Sequence, residues 1–186
     1  MKKFAAMILL AALLLACLNG CSLLPTFFET DDKIAQAQID AVLSALQEED
    51  SDALKALFSN HTRSSVDDFD RAVEDLFVYY QGAVVSVHDW GMQTSTEREN
   101  GMIKHDLYLS YDVTTVDQVF RLAIHYCATN DYVPEQEGIC SLYIIKMVED
   151  TDPQYAYRGD DAYIPGIHIG IRNTLPEVVD GTVPHV

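Results

Sequence analysis

The sequence predicts an α+β domain in which helices come first and an antiparallel sheet follows. Between Asp31 and Tyr80 the apolar residues recur at threes and fours, and after Gly82 the period changes to two. The two-period runs are separated by turn-forming stretches too short to hold crossover helices. Consecutive short-linked strands are antiparallel, and an antiparallel sheet buries one face against helices.

The first helix is expected from Asp31, with Ile34, Ile39, Val42, Leu43 and Leu46 on one side and Asp31 or Asp32 as N-cap. A second starts near Ser51 and carries Leu54, Leu57 and Phe58. The third has the clearest stripe, Val66, Phe69, Val73, Leu76, Phe77 and Tyr80, opposite Asp67, Asp68, Asp70, Arg71, Glu74 and Asp75. Phe69, Leu76 and Phe77 are therefore expected in the core, and Gln81-Gly82 ends the helix. Strands are expected over 84–92, 102–115, 119–129 and 139–148, which are rich in Val, Ile, Tyr, Phe and Leu. In the second, Ile103, His105, Leu107, Leu109, Tyr111 and Val113 share one face, and Lys104, Asp106, Tyr108, Ser110, Asp112 and Thr114 share the other. From Glu149 onward the chain holds four of the six prolines and four of the nine glycines, so irregular chain is expected there, pinned by Tyr155, Tyr157, Tyr163, Ile164 and Ile167.

The N-terminus reads as an export signal: Met1-Lys2-Lys3, an apolar block over 4–16, and a small polar pair before Cys21. A block of this length falls short of the ~20 residues a spanning helix needs. Leu18-Asn19-Gly20-Cys21 resembles the bacterial lipobox, where a cysteine receives lipid as the signal is removed. Leu14-Leu15-Ala16-Cys17 competes but lies inside the apolar block. Cys21 is the expected lipidation site, and several acyl chains on it would anchor the protein stably. The expected organisation is a signal peptide over 1–20, a tether over 21–30, the α+β domain over 31–172 and an irregular tail over 173–186. The expected location is the extracytoplasmic face of the cell membrane.

Cleavage would leave 10 Lys+Arg against 29 Asp+Glu, a net charge of −19. Such a surface repels polyanions, so nucleic acid is excluded as a partner. The six histidines are scattered without His-x-His or His-x-x-x-His spacing, and no metal or cofactor is expected. Glu149-Asp150-Thr151-Asp152 lacks the glycine and terminal glutamate of a calcium loop and reads as a solvated turn. Arg158-Gly159-Asp160 is ordinary turn chemistry. No Gly-x-Ser-x-Gly or other nucleophile arrangement is present, so no catalytic residue is assigned. Cys127 and Cys140 flank a hairpin loop over 130–138, and the two readings, a disulfide and a pair of free buried thiols, stay open. In the bridged register 127 faces 140, 125 faces 142 and 123 faces 144, which puts Ala123, His125, Cys127, Cys140, Leu142 and Ile144 on one face.

Four stretches, 53–59, 81–86, 138–146 and Tyr163-Ile164-Pro165-Gly166-Ile167, resemble a family of uncharacterised bacterial lipoproteins similar to the NTF2-like, cystatin-like superfold. The resemblance implies a curved sheet wrapped around a long helix as a cone enclosing a pocket, and dimerisation through the sheet. The pocket would draw on His88, Trp90, His105, Tyr111 and Tyr126. Because that superfold hosts isomerases, dehydratases and binding modules, it does not choose among them. The expected function is a membrane-anchored, non-catalytic module binding a small apolar ligand or a protein partner. The alternative is an enzyme doing acid/base chemistry on a small molecule, which requires titratable groups converging inside the cavity.

Overall fold

The computed structural model describes residues 30–150 and 166–170, with side chains through Val148 and from Gly166. The signal, Cys21, the tether, the tail and the pinning residues 155, 157, 163 and 164 lie outside the described residues. The chain divides into two units, 1–33 and 34–186. Of the first, the described part is its end, where the Lys33 amide donates to Thr30 O at 2.8 Å and opens a helix.

Helix α1 runs Asp31–Gln47 and buries Ala35, Ile39, Val42, Leu43, Ala45 and Leu46, the stripe its spacing dictates. Asp50 then caps α2, Ser51–Leu57, by accepting from the Ala53 amide at 2.9 Å, and Leu54 of that helix is fully buried. A short helix α3, Asn60–Ser65, follows that periodicity did not reveal, because its residues are all polar. It is held by other means: Ser59 accepts from the Thr62 amide, and Thr62 Oγ1 donates to Cys140 O at 3.0 Å. Helix α4, Phe69–Tyr79, buries Phe69, Val73 and Leu76, and Tyr80 follows at 5% exposure. Phe77, expected in the core, is only half-buried; Leu76, one residue earlier, is fully buried and points at the sheet.

Five strands form one antiparallel sheet in chain order: β1 Val84–Glu99, β2 Met102–Thr115, β3 Val119–Asn130, β4 Gly138–Lys146 and β5 Ile167–Ile169. β1 extends seven residues past its expected end. Its polar second half, Gln93 to Glu99, carries no hydrophobic pattern but is forced into register with β2 by the Asn100-Gly101 turn. Both turn residues have positive φ, +51° and +82°, as a two-residue hairpin turn of matching twist requires. The β3–β4 connection contains a single 3-10 turn, Pro134–Gln136, and β4 runs into a short helix α5, Met147–Asp150, where strand had been expected.

The helices cover one face of this sheet. Leu107, Leu109, Tyr111 and Val113 of β2, Phe120, Leu122 and Ile124 of β3, Ile139, Leu142 and Ile144 of β4, and Ile169 of β5 join the helical stripes in one core. Tyr80 and Tyr79 pack on Phe120, with the Tyr80 ring centroid 4.7 Å away. Each fully buried Leu or Ile contributes ~1.5–3 kcal/mol relative to exposure. Helices and sheet are also joined through backbone: Phe58 bridges Ile139, and the Ser59 amide donates to Ile139 O at 3.0 Å. That contact needs Gly138, whose φ is +116° and whose missing Cβ would lie 2.9 Å from Ser59 N.

Candidate functional site

Two bulges in β1 decide where its aromatic residues point. Alternation alone puts Val84, Ser86, His88, Trp90 and Met92 on one face. The register slips between Val84 and Ser86 and again between Asp89 and Met92, so Val84 and Met92 pack against the core. Ser86 and His88 instead pair with Thr114 and Asp112 and point away from the helices. Trp90, in the second bulge, lies on that outer face too, with His88 against it edge-on at 4.6 Å. Of the five expected pocket residues, Tyr111 and Tyr126 pack on the helix side, and His88 and Trp90 lie on the opposite one. His105 sits at the rim of the β1–β2 hairpin, its Nδ1 bonded to Thr96 Oγ1 at 2.8 Å. They do not line one cavity.

The helix side offers little to proton chemistry. The Tyr111 hydroxyl donates to Ala35 O at 3.4 Å, and burial, with the Asp89 and Asp40 carboxylates adding to it, pushes its ionisation up to about 12. Burial alone does the same to Tyr80, whose hydroxyl is buried without a hydrogen-bond partner. Both phenols are neutral near pH 7.

The outer face is where charged and aromatic groups are joined. Asp106, 2% exposed, accepts from His125 Nε2 at 3.0 Å and from Lys104 Nζ at 3.2 Å. Burial works against its ionisation, but the bonds from His125 and Lys104 outweigh it and hold the carboxyl below the usual range. The strand register makes this possible by facing Tyr108 with His125, and the two rings stack at 4.5 Å and 14°. Four residues further along, Asp112 faces Arg121, which grips it with Nε at 2.9 Å and Nη2 at 3.2 Å. The Trp90 indole also bonds Asp112, and the Arg121 guanidinium lies over its ring at 5.8 Å. Toward β5, Tyr143 stacks on His168 at 4.4 Å. The face is graded in exposure: Trp90 is 58% and Tyr108 44% exposed, while Tyr143 is 9% and Ile145 0%.

Cys127 and Cys140 also belong to this face, by a route the expected register did not contain. Cys127 pairs with Gly138 rather than Cys140, and His125 pairs with Ser141. Leu142 and Ile144, expected beside Cys140, lie in the core instead. Between His125 and Tyr126 the register slips, leaving Cys140 as the extra residue of a β4 bulge. A plain slip of one residue would have sent the two cysteines to opposite faces; the bulge returns Cys140 to the side of Cys127. Both are free thiols. Burial, and after it the Asp106 carboxylate, pushes Cys127 up to about 12 and raises Cys140.

Among the described residues no three His, Cys, Asp or Glu are grouped to hold a metal ion, and no helix is long and apolar enough to cross a membrane. On the helix side a surface cleft of about 750 Å³ is lined by Lys55, Arg63, Phe69, Asp70, Arg71 and Glu74, with Lys55 paired to Asp70 at 2.7 Å. Asp106, Asp112, Arg121 and His125 were not singled out by sequence reasoning. For Asp106 and Asp112 the signal was the polar alternation of β2, which by itself looks the same as a solvated face; Arg121 and His125 lie on β3.

Among known protein families, one described as a domain of unknown function, DUF5104, matches residues 41–147, more than half of the chain and from the middle of α1 to the end of β4. No curated protein matches.

Proposed function

The chain belongs to that DUF5104 family, and we propose that it is a lipid-anchored extracytoplasmic binding module that meets a protein partner through the outer face of its sheet around Trp90 and Tyr108. The observation that carries this reading is the bracing of two exposed aromatic rings. Trp90 is tied by Asp112 and Arg121, and Tyr108 by His125, which is itself fixed by Asp106. Rings held before contact lose little side-chain freedom on binding, which is why Trp, Tyr and Arg dominate binding energy at protein interfaces. The anchor rests on the Leu18-Asn19-Gly20-Cys21 run, and the order of helices then antiparallel strands is in keeping with the NTF2-like relation.

The acid/base enzyme remains the second reading, and one observation favours it, the Asp106–His125 pair. That histidine has Nε2 committed to Asp106 and one ring face covered by Tyr108, an arrangement better suited to bracing than to proton transfer.

Two measurements test the proposal. A fatty-acid probe fed to cells should label the wild type and not Cys21→Ala; label that survives in Cys21→Ala and is lost in Cys17→Ala overturns the anchor assignment. A photo-crosslinking residue placed at 90 or 108 in membrane-bound protein should give a discrete adduct of higher mass. The same probe at Val78, more exposed than either but on α4, should give none. Equal yields at all three positions, or adducts only at 78, would remove the outer face as the docking surface.

A further inference from the structure

We infer that Cys127 and Cys140 are a disulfide-forming pair, closed by thiol–disulfide exchange with a disulfide-bearing oxidant, in which Cys140 attacks first and Cys127 resolves. The argument starts from position. Cys140 is the bulged residue of β4 and Cys127 lies on the neighbouring strand β3, both on the outer face of the sheet. The bulge turns the Cys140 sulfur toward Cys127, so that the Cys127 amide and thiol both hydrogen-bond to it. The two side chains are thus neighbours on adjacent strands, their thiols otherwise donating to Thr129 O at 3.5 Å and Gln136 O at 3.3 Å.

The order of attack follows from access and charge. Cys127 is fully buried and Cys140 only partly. Burial, and beside it the Asp106 carboxylate, opposes a thiolate at Cys127. At Cys140 burial and Asp106 act in the same sense, but the two hydrogen bonds from Cys127 favour the charged form. The partly exposed sulfur is therefore also the one whose thiolate is opposed less, and the thiolate is the nucleophile. In the first step the Cys140 thiolate attacks one sulfur of the oxidant's disulfide, making a mixed disulfide and expelling the other oxidant sulfur as a thiolate. In the second, the Cys127 thiol gives its proton to solvent, attacks Cys140 Sγ and expels the remaining oxidant thiolate. Two protein thiols are oxidised and one oxidant disulfide is reduced to two thiols. Asp106, with its lowered ionisation, is relieved of a buried neighbour that could otherwise acquire like charge.

The oxidising setting rests on the exported reading given above, whereas the chemistry does not, and the experiment separates them. Purified full-length protein is incubated with oxidised glutathione and digested without reduction. Trypsin alone is uninformative, because no Lys or Arg lies between Arg121 and Lys146; a glutamate-specific protease adds cuts at Glu135 and Glu137 and parts the two cysteines. The expected result is a pair of linked peptides containing Cys127 and Cys140, with the loss of two hydrogens in mass. In Cys127→Ser, a glutathione adduct should accumulate on Cys140, while Cys140→Ser should leave Cys127 unmodified in the folded protein. Two alkylatable thiols in the oxidant-treated wild type, or an adduct on Cys127 in Cys140→Ser, would overturn the inference. A bridge formed in the test tube but absent from protein taken directly from membranes would count against the exported location and not against the pair.

Discussion

Asp106 shows how a single residue organises the outer face. Its carboxylate is nearly inaccessible, yet it stays ionised because Lys104 and His125 supply charge-assisted bonds from either side. Such bonds contribute ~1.5–3 kcal/mol each when one partner is charged. Asp106→Asn should therefore lower unfolding stability by about 2 kcal/mol at pH 7, measured by denaturant titration. The pH dependence has a definite sign. A carboxyl whose folded ionisation lies below its unfolded value of ~3.9 contributes fully above that value and loses the contribution as pH falls through its folded value. Wild type and Asp106→Asn should thus converge in stability as the solution is acidified below pH ~4, and a gap that widens there would contradict the assignment. None of this was legible from the residue alone. Asp106 sits in an alternating polar row with Tyr108, Ser110 and Asp112, and a solvated row has the same spelling. What distinguishes it is His125, which faces Tyr108 on the next strand and reaches Asp106 diagonally, a placement that register decides.

At the level of elements, the sequence was most readable where burial sets a period and least where something else holds the backbone. The stripes of α1 and α4 and the inward face of β2 came directly from spacing, because each covers a core large enough to impose it. Helix α3 escaped, being held by Ser59, Thr62 and the start of β4 rather than by apolar contacts. The second half of β1 escaped for a related reason, although its signal, Asn100-Gly101, stands in plain view. Bulges were the third blind spot: one inserted residue reverses every facing that follows it, and two in β1 and one in β4 moved His88, Trp90 and Cys140. The edge of the α4 stripe can be tested. Leu76→Ala should cost ~2–5 kcal/mol, since the site is sealed. Phe77→Ala should cost less than Leu76→Ala despite the larger side chain removed, because Phe77 is half-buried. Denaturant unfolding of both variants checks the order, and a reversed order would mean that α4 is rotated about its axis.

Seen whole, the described molecule is one sheet with two chemistries. One side is sealed by helices with hydrocarbon; the other is wired with ion pairs and rings. The sheet also ends abruptly. Among the described residues β1 pairs only with β2, so a strand of 16 residues presents its far row of amides and carbonyls outward. Natural sheets guard such a row against a second copy of themselves with charge and with bulges. Here the guards are the break at Trp90-Gly91, the Glu97-Arg98-Glu99 end and the −17 charge of the whole chain. The last of these disappears near the isoelectric point of about 4.4. Light scattering should therefore rise steeply as pH approaches that value, in protein whose circular dichroism is still native. A proline at Thr94 should suppress the rise by denying the edge a donor, whereas scattering that begins only after the fold is lost would trace it to unfolded chain. In its folded form this protein would then be at risk of precipitating in mild acid, because what keeps its copies apart is repulsion at a distance rather than closure of the sheet.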